Sequence, residues 1–269
     1  PVMNLVAQHC SNLSQAGVDG LMLSWTVGGY PSPNLELVRR FQQKPAPTIE
    51  GALMEVAQAR YGTDAAPEMV ISWSQFSEAF SEFPFDGNYV YRGPSQVGPA
   101  NLLYLEPTGY PSTMVCFPYD DVNGWRGIYP VEVLAGQFEK VASGWRKGLA
   151  IWKEAIGKME GPREHANAHS DLVVAEAAGL HFDSVANQIR FILARNALRG
   201  GSVNQDETDA AVAMMRTKAH AEIKNAERLF ELTRQDPRIG FEASNHYYYL
   251  PLDLVEKVVN CESILRALP

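Results

Sequence analysis

The sequence predicts a mainly α protein that carries one helix–strand–helix unit near its start. Three observations lead there. Apolar residues recur at helical intervals over most of the 269 residues. Glycine and proline stops separate these stripes at regular places. Against this background one short run, Leu21-Met22-Leu23-Ser24-Trp25, reads as a strand, and little else in the chain does.

Residues 2–16 carry Val2, Met3, Leu5, Val6, Cys10 and Leu13 as one helical stripe, closed by Gly17. The strand at 21–26 follows at once. It breaks into the loop Gly28-Gly29-Tyr30-Pro31-Ser32-Pro33. Asn34 then opens a helix from Leu35 to Gln43. A buried strand cannot satisfy its own backbone, so this unit belongs to an α/β arrangement whose sheet lies elsewhere.

From residue 44 the character changes. Lys44-Pro45-Ala46-Pro47 marks a sharp turn, and a helix runs from Thr48 to about Tyr61. Pro67 starts the next, with Trp73, Phe76, Ala79, Phe80 and Phe83 at helical spacing. Residues 84–130 read as a long irregular region rich in proline and glycine. Loops of that length are usually functional or pack as a cap. Long helices follow at 130–159, 163–198 and 204–235, and a last one at 251–267. Gly161-Pro162, Gly200-Gly201 and Asp236-Pro237 separate them. Short joints between long helices predict an antiparallel bundle. The expected domains are therefore 1–43, 44–129 and 130–269.

Composition narrows the function classes. Net charge is −8, from 23 basic and 31 acidic residues. That argues against nucleic acid as the main partner, because phosphate binding needs a basic face. No apolar stretch reaches bilayer length and no leader is visible, so a soluble chain without a membrane partner is expected. The chain opens Pro1-Val2-Met3-Asn4 and reads as a processed chain or a piece of a longer one. Cys10, Cys116 and Cys261 form no metal or disulfide spacing and read as core thiols.

Four stretches hold candidate chemistry. Trp25 and Tyr30 flank the strand's end, where α/β folds place their ligand crevice. Flat rings there suit the C–H faces of a sugar, with Asn34 or Glu36 accepting from hydroxyls; core packing and a stiff connection explain the same residues equally well. Within residues 116–130, Asp120, Asp121, Trp125 and Arg126 form a plausible polyol-binding set. Adjacent carboxylates on an extended chain point opposite ways, however, and an Asp–Arg pin over a buried Trp125 is the plainer reading. His165 and His169 share a helix face as a possible metal pair, but no Glu lies between them, and no metal or other cofactor is expected. Tyr247, Tyr248 and Tyr249 follow Asn245-His246, and read as a docking cluster or a pocket lining. Phosphate-binding, dinucleotide and serine-nucleophile motifs are missing from the sequence.

Residues Gly20 to Asn34 resemble the final strand and loop of a (β/α)8-barrel glycoside hydrolase. The helices after it resemble the C-terminal region of bacterial enzymes related to glycoside hydrolase family 20 and to the α-glucuronidases. Gly240-Phe241-Glu242-Ala243-Ser244-Asn245-His246-Tyr247 and Glu256-Lys257-Val258-Val259-Asn260-Cys261 fit the same likeness. The resemblance implies the last β-α unit of a barrel followed by a helical bundle. It implies a carbohydrate substrate, with the N-terminal remainder of the same enzyme as partner. Trp25 maps onto the aromatic floor of the sugar subsite. The acid/base carboxylates lie on middle strands in such enzymes, so the catalytic residues of this chain are unknown. The rival expectation is a non-catalytic helical carbohydrate-binding or assembly module.

Overall fold

A computed structural model describes residues 2–21, 32–87, 89, 98–109, 120–200, 204–236, 239 and 249–269. These residues are mainly helical, and no strand occurs among them. Residues 22–26 of the expected strand, together with Trp25, Tyr30 and Cys116, lie outside the described residues. So do Asn245, His246, Tyr247 and Tyr248.

The chain groups into two compact units. The first comprises residues 1–82, 143–176 and 242–246; the second comprises 83–142, 177–241 and 247–269.

Four helices open the first unit: α1 (Met3–Gln15), α2 (Pro33–Arg40), α3 (Ile49–Tyr61) and α4 (Ala66–Phe80). Local chemistry fixes their ends. Gly17, at φ +73°, follows α1 in a conformation that most side chains resist. The Ser32 hydroxyl accepts from the Asn34 amide at 3.1 Å, and Pro33 occupies the first turn. Ser32 is therefore the cap of α2, two residues before the expected start. Thr48 caps α3 by accepting from the Gly51 amide at 3.1 Å.

The same unit receives part of two long helices, α6 (Val131–Ile156) and α7 (Pro162–Arg199), which follow a short α5 (Val122–Trp125). Gly144 and Gly148, one turn apart on α6, let α4 approach closely. A Cβ on Gly148 would lie 2.6 Å from the Phe76 ring, and one on Gly144 would lie 2.7 Å from the Ala79 Cβ. Phe76 packs at 4.6 Å between ring centres on Trp145. Tyr61 meets Trp73 and Trp152 edge-on at 5.8 Å each. Two of the three indoles find acceptors, Trp145 Nε1 at the Ala175 carbonyl (2.8 Å) and Trp152 Nε1 at the Ala168 carbonyl (3.1 Å), whereas the buried Trp73 Nε1 has none among the described residues. Large rings thus fill the core while the Trp145 and Trp152 N–H groups stay paired.

The second unit has two apolar clusters. One gathers Tyr89, Val122, Trp125, Leu134, Phe138, Val185 and Ile189. The other gathers Leu103, Phe191, Met215, Ala219, Cys261 and Ile264. The latter joins α7 to α8 (Gln205–Gln235) and α9 (Pro251–Ala267). Helix α8 begins with a reciprocal cap: Asn204 Oδ1 accepts from the Glu207 amide while Glu207 accepts from the Asn204 amide, each at 2.9 Å. Pro251 starts α9.

Because buried Phe76 leaves no room over Gly148, Gly148→Ala is expected to destabilise the protein by about 1–3 kcal/mol. Gly136, with nothing within 4 Å of its added Cβ, is the control. There alanine gains helix propensity and leaves the melting temperature equal or higher. Thermal melts of both variants check the contrast.

Candidate functional site

Each unit holds a dense polar centre. In the second unit Glu222 and Lys257 are both fully buried, with Lys257 Nζ 2.9 Å from Glu222 Oε2. The carboxylate is saturated. Oε2 also accepts from Ser184 Oγ at 2.7 Å, and Oε1 accepts from Asn187 Nδ2 at 3.0 Å and Asn225 Nδ2 at 3.4 Å. Lys257 donates as well to the Asn101 carbonyl. Asn101 Nδ2 donates to Gln188 Oε1 at 2.7 Å, and Gln188 Nε2 donates to Ser184 Oγ at 2.9 Å. The bonds close a ring through residue 101, α7, α8 and α9. Asn260 clamps the same strip of chain, accepting from the Leu103 amide and donating to its carbonyl at 2.9 Å each.

At its half-buried edge the network reaches Asp183 and Lys218. Asp183 Oδ2 accepts from Asn225 Nδ2 at 3.1 Å and Asn187 Nδ2 at 3.3 Å. Lys218 Nζ donates to Asn187 Oδ1 at 3.1 Å. Tyr249 OH and His181 Nδ1 share a hydrogen bond. Gly98, at φ +43°, sits where any Cβ would strike the His181 ring. The Asp183 and Glu222 carboxylates are thus bridged by two amide nitrogens.

In the first unit the centre is Asp171. Its carboxylate takes a two-pronged contact from Arg60 (Nε–Oδ2 2.7 Å, Nη2–Oδ1 3.1 Å) and the Tyr61 hydroxyl at 2.8 Å. Arg60 also pairs with Glu36. Burial works against the charge of Arg60, but the hydrogen bond and charge of Asp171 outweigh it and its pKa rises. Burial, then the charge of Asp171, pushes the Tyr61 hydroxyl well above its usual range. Tyr61 therefore stays a donor.

The residues singled out from sequence separate on inspection. Asp120 is buried. It accepts from the Thr108 amide and hydroxyl at 3.0 Å each, and pairs with Arg195 at 2.8 Å. Arg195 also donates to the Asp120 carbonyl at 2.8 Å. Trp125 is fully buried in the first apolar cluster. Asp121 is exposed. Arg126 donates to the Tyr129 carbonyl at 2.6 Å and to Asn123 Oδ1 at 3.3 Å. The two neighbouring aspartates face different surroundings. His165 and His169 are exposed on α7. Among the described residues no three His, Cys, Asp or Glu side chains gather around one point. No described helix is long and apolar enough to cross a membrane.

Sequence reading missed Glu222, Lys257, Asp171 and Arg60. A signal for two of them was present. Glu222 interrupts the stripe Met215, Ala219, Ala226, Leu229, and Lys257 interrupts Leu254, Cys261, Ile264. Charges of opposite sign on two buried stripes imply a pair.

No protein-family model matches the chain, and neither curated proteins nor solved structures give a match.

The pair also bears on its neighbour Cys261. Burial pushes this thiol up to about 11, with the Lys257 charge opposing and the Glu222 charge assisting. The folded state then holds a proton that the unfolded chain releases near pH 9. The associated stability is complete below that pH and is lost as the pH rises through about 11. Its size is roughly 2–3 kcal/mol. Urea titrations between pH 8 and 11 are expected to show a steeper loss for the parent than for Cys261→Ala.

Proposed function

We propose that this chain is the C-terminal portion of a carbohydrate-active hydrolase that cleaves glycosidic bonds. In this reading residues 1–43 form the last β-α unit of a (β/α)8 barrel, and the helices that follow support it. The remainder of the same enzyme supplies the other strands and the acid/base carboxylates.

The observation that carries the reading is the segment 20–34, an apolar run leaving in an aromatic, glycine- and proline-pinned loop. Two features of the first unit support it. The segment lies in sequence between α1 and α2, both of which bury an apolar face (Met3, Ala7 and Cys10; Leu37 and Val38). The loop also delivers directly into a capped helix start at Ser32-Pro33. That is the order of a terminal β-α unit, in which ligands meet the carboxyl end of the strand. Trp25 and Tyr30 then form a wall of the sugar-binding cleft.

In the second unit, taken by itself, Asp120 and Trp125 hold their loop in place. Asp121 and the remaining guanidinium N–H groups of Arg126 are what that loop offers a hydroxylated ligand. Half-buried Asp183 and Lys218, both bonded to Asn187, have the same chemistry. Carboxylate, amide and ammonium groups are the mixture that sugar hydroxyls recognise.

Titrating the enzyme that contains this chain with aryl glycosides, before and after Trp25→Ala, tests the proposal. A fall in kcat/KM of about 10- to 100-fold at unchanged melting temperature is expected, or about 1.4–2.7 kcal/mol. Unchanged turnover and binding remove Trp25 from the site. Glycan binding with no turnover in the parent enzyme replaces the hydrolase with the binding module.

A further inference from the structure

The first unit contains a cavity of about 700 Å³ that the sugar-binding proposal does not use. It is lined by Glu36, Arg39, Arg40, Arg60, Arg163 and Asn167, with Gln42, Gln43 and Ala59 completing the wall. Four guanidinium groups and one carboxylate on one cavity stand out in a chain of net charge −8.

The arginines are not equivalent. Arg60 is built in. Asp171 grips it from behind, Tyr61 holds Asp171, and Glu36 takes a third contact. A guanidinium has five N–H donors, so two remain for the cavity that Arg60 lines. Asn167 Nδ2 donates to the Arg60 carbonyl at 3.0 Å, which holds that side chain on the same wall. Arg40 lies 3.5 Å from exposed Glu55. Arg39 and Arg163 pair with no carboxylate and donate to no acceptor among the described residues. Arg163 also stands in the first turn of α7, the end at which a helix disfavours a cation. Helix stability does not explain an arginine there. The one carboxylate on the wall, Glu36, is already matched by Arg60.

We propose that this cavity binds a small polar molecule through one oxyanion group, carboxylate or phosphate. Arg39 and Arg163 contact the anion, Arg60 is the fixed floor, and the amides of Gln42, Gln43 and Asn167 meet the polar body. Planar guanidinium groups match both oxyanions with paired N–H···O bonds. The volume falls within the range of small-molecule sites and far exceeds what a bare ion fills, so the anion is carried on a larger body.

Isothermal titration of the whole protein at constant ionic strength tests this, with glucose 6-phosphate, D-gluconate and uncharged glucose as the probes. At least one of the two anions is expected to bind at least about ten-fold more tightly than glucose, and the stronger arm identifies the group. Arg39→Gln combined with Arg163→Gln is expected to abolish that advantage. Both side chains are exposed, so the melting temperature is expected to hold. The matching double lysine variant keeps the charge and recovers part of the binding. Equal affinity for all three probes overturns the proposal, as does undiminished anion binding by the glutamine variant. Neither outcome touches the role of Trp25, which is read by turnover of glycosides.

Discussion

The second unit depends above all on its fully buried ion pair. Glu222 and Lys257 have no access to water, so each needs the other and a full set of hydrogen bonds to offset lost hydration. The surroundings meet that need. Four donors saturate the carboxylate, and Lys257 reaches both the carboxylate and a backbone carbonyl. The requirement is geometric, since none of the helices involved can slide without stranding a charge. A bundle held by apolar contacts alone tolerates such shifts more readily. The ring through Ser184, Gln188 and Asn101 extends the constraint to the chain at 98–103, where Gly98 leaves space for the His181 ring.

Asp171 has the corresponding role in the first unit, with a different outcome. Its partner Arg60 keeps a small exposed fraction and faces a cavity on one side. One side of the guanidinium is structural and the other lines the cavity. The contrast separates the two centres chemically. The Glu222 carboxylate is consumed by its own neighbours, whereas the Arg60 site retains donors. Outside the closed ring, Asp183 and Lys218 remain half-buried.

Helices were legible because their apolar stripes are long and their ends carry strong local signals. Gly17 and Pro251 act where the pattern places them. The cap of α2 was misplaced because Ser32 and Asn34 are both good capping residues two positions apart, and only the backbone decides between them. The Asp120 to Arg126 stretch shows a different limit. Composition allowed either a binding surface or a pinned loop, and the distinction rests on Arg195 and Thr108, 75 and 12 residues away. Nothing local to the loop encodes those contacts. Asp171 was illegible for the same reason, since its partners Arg60 and Tyr61 come from a distant helix. Glu222 and Lys257 were readable in principle, as charges set into buried stripes.

The most direct measurement is a double-mutant cycle in urea on Glu222→Leu, Lys257→Met and the combination. Each single change leaves a buried charge without its partner and is expected to cost about 3–5 kcal/mol. The combination removes both charges, so the account predicts a loss at least 2 kcal/mol smaller than the sum of the two singles, about the coupling of a contacting pair. Additive losses, within about 0.5 kcal/mol, would show that the two side chains do not depend on each other, and the organisation described for the second unit would fall.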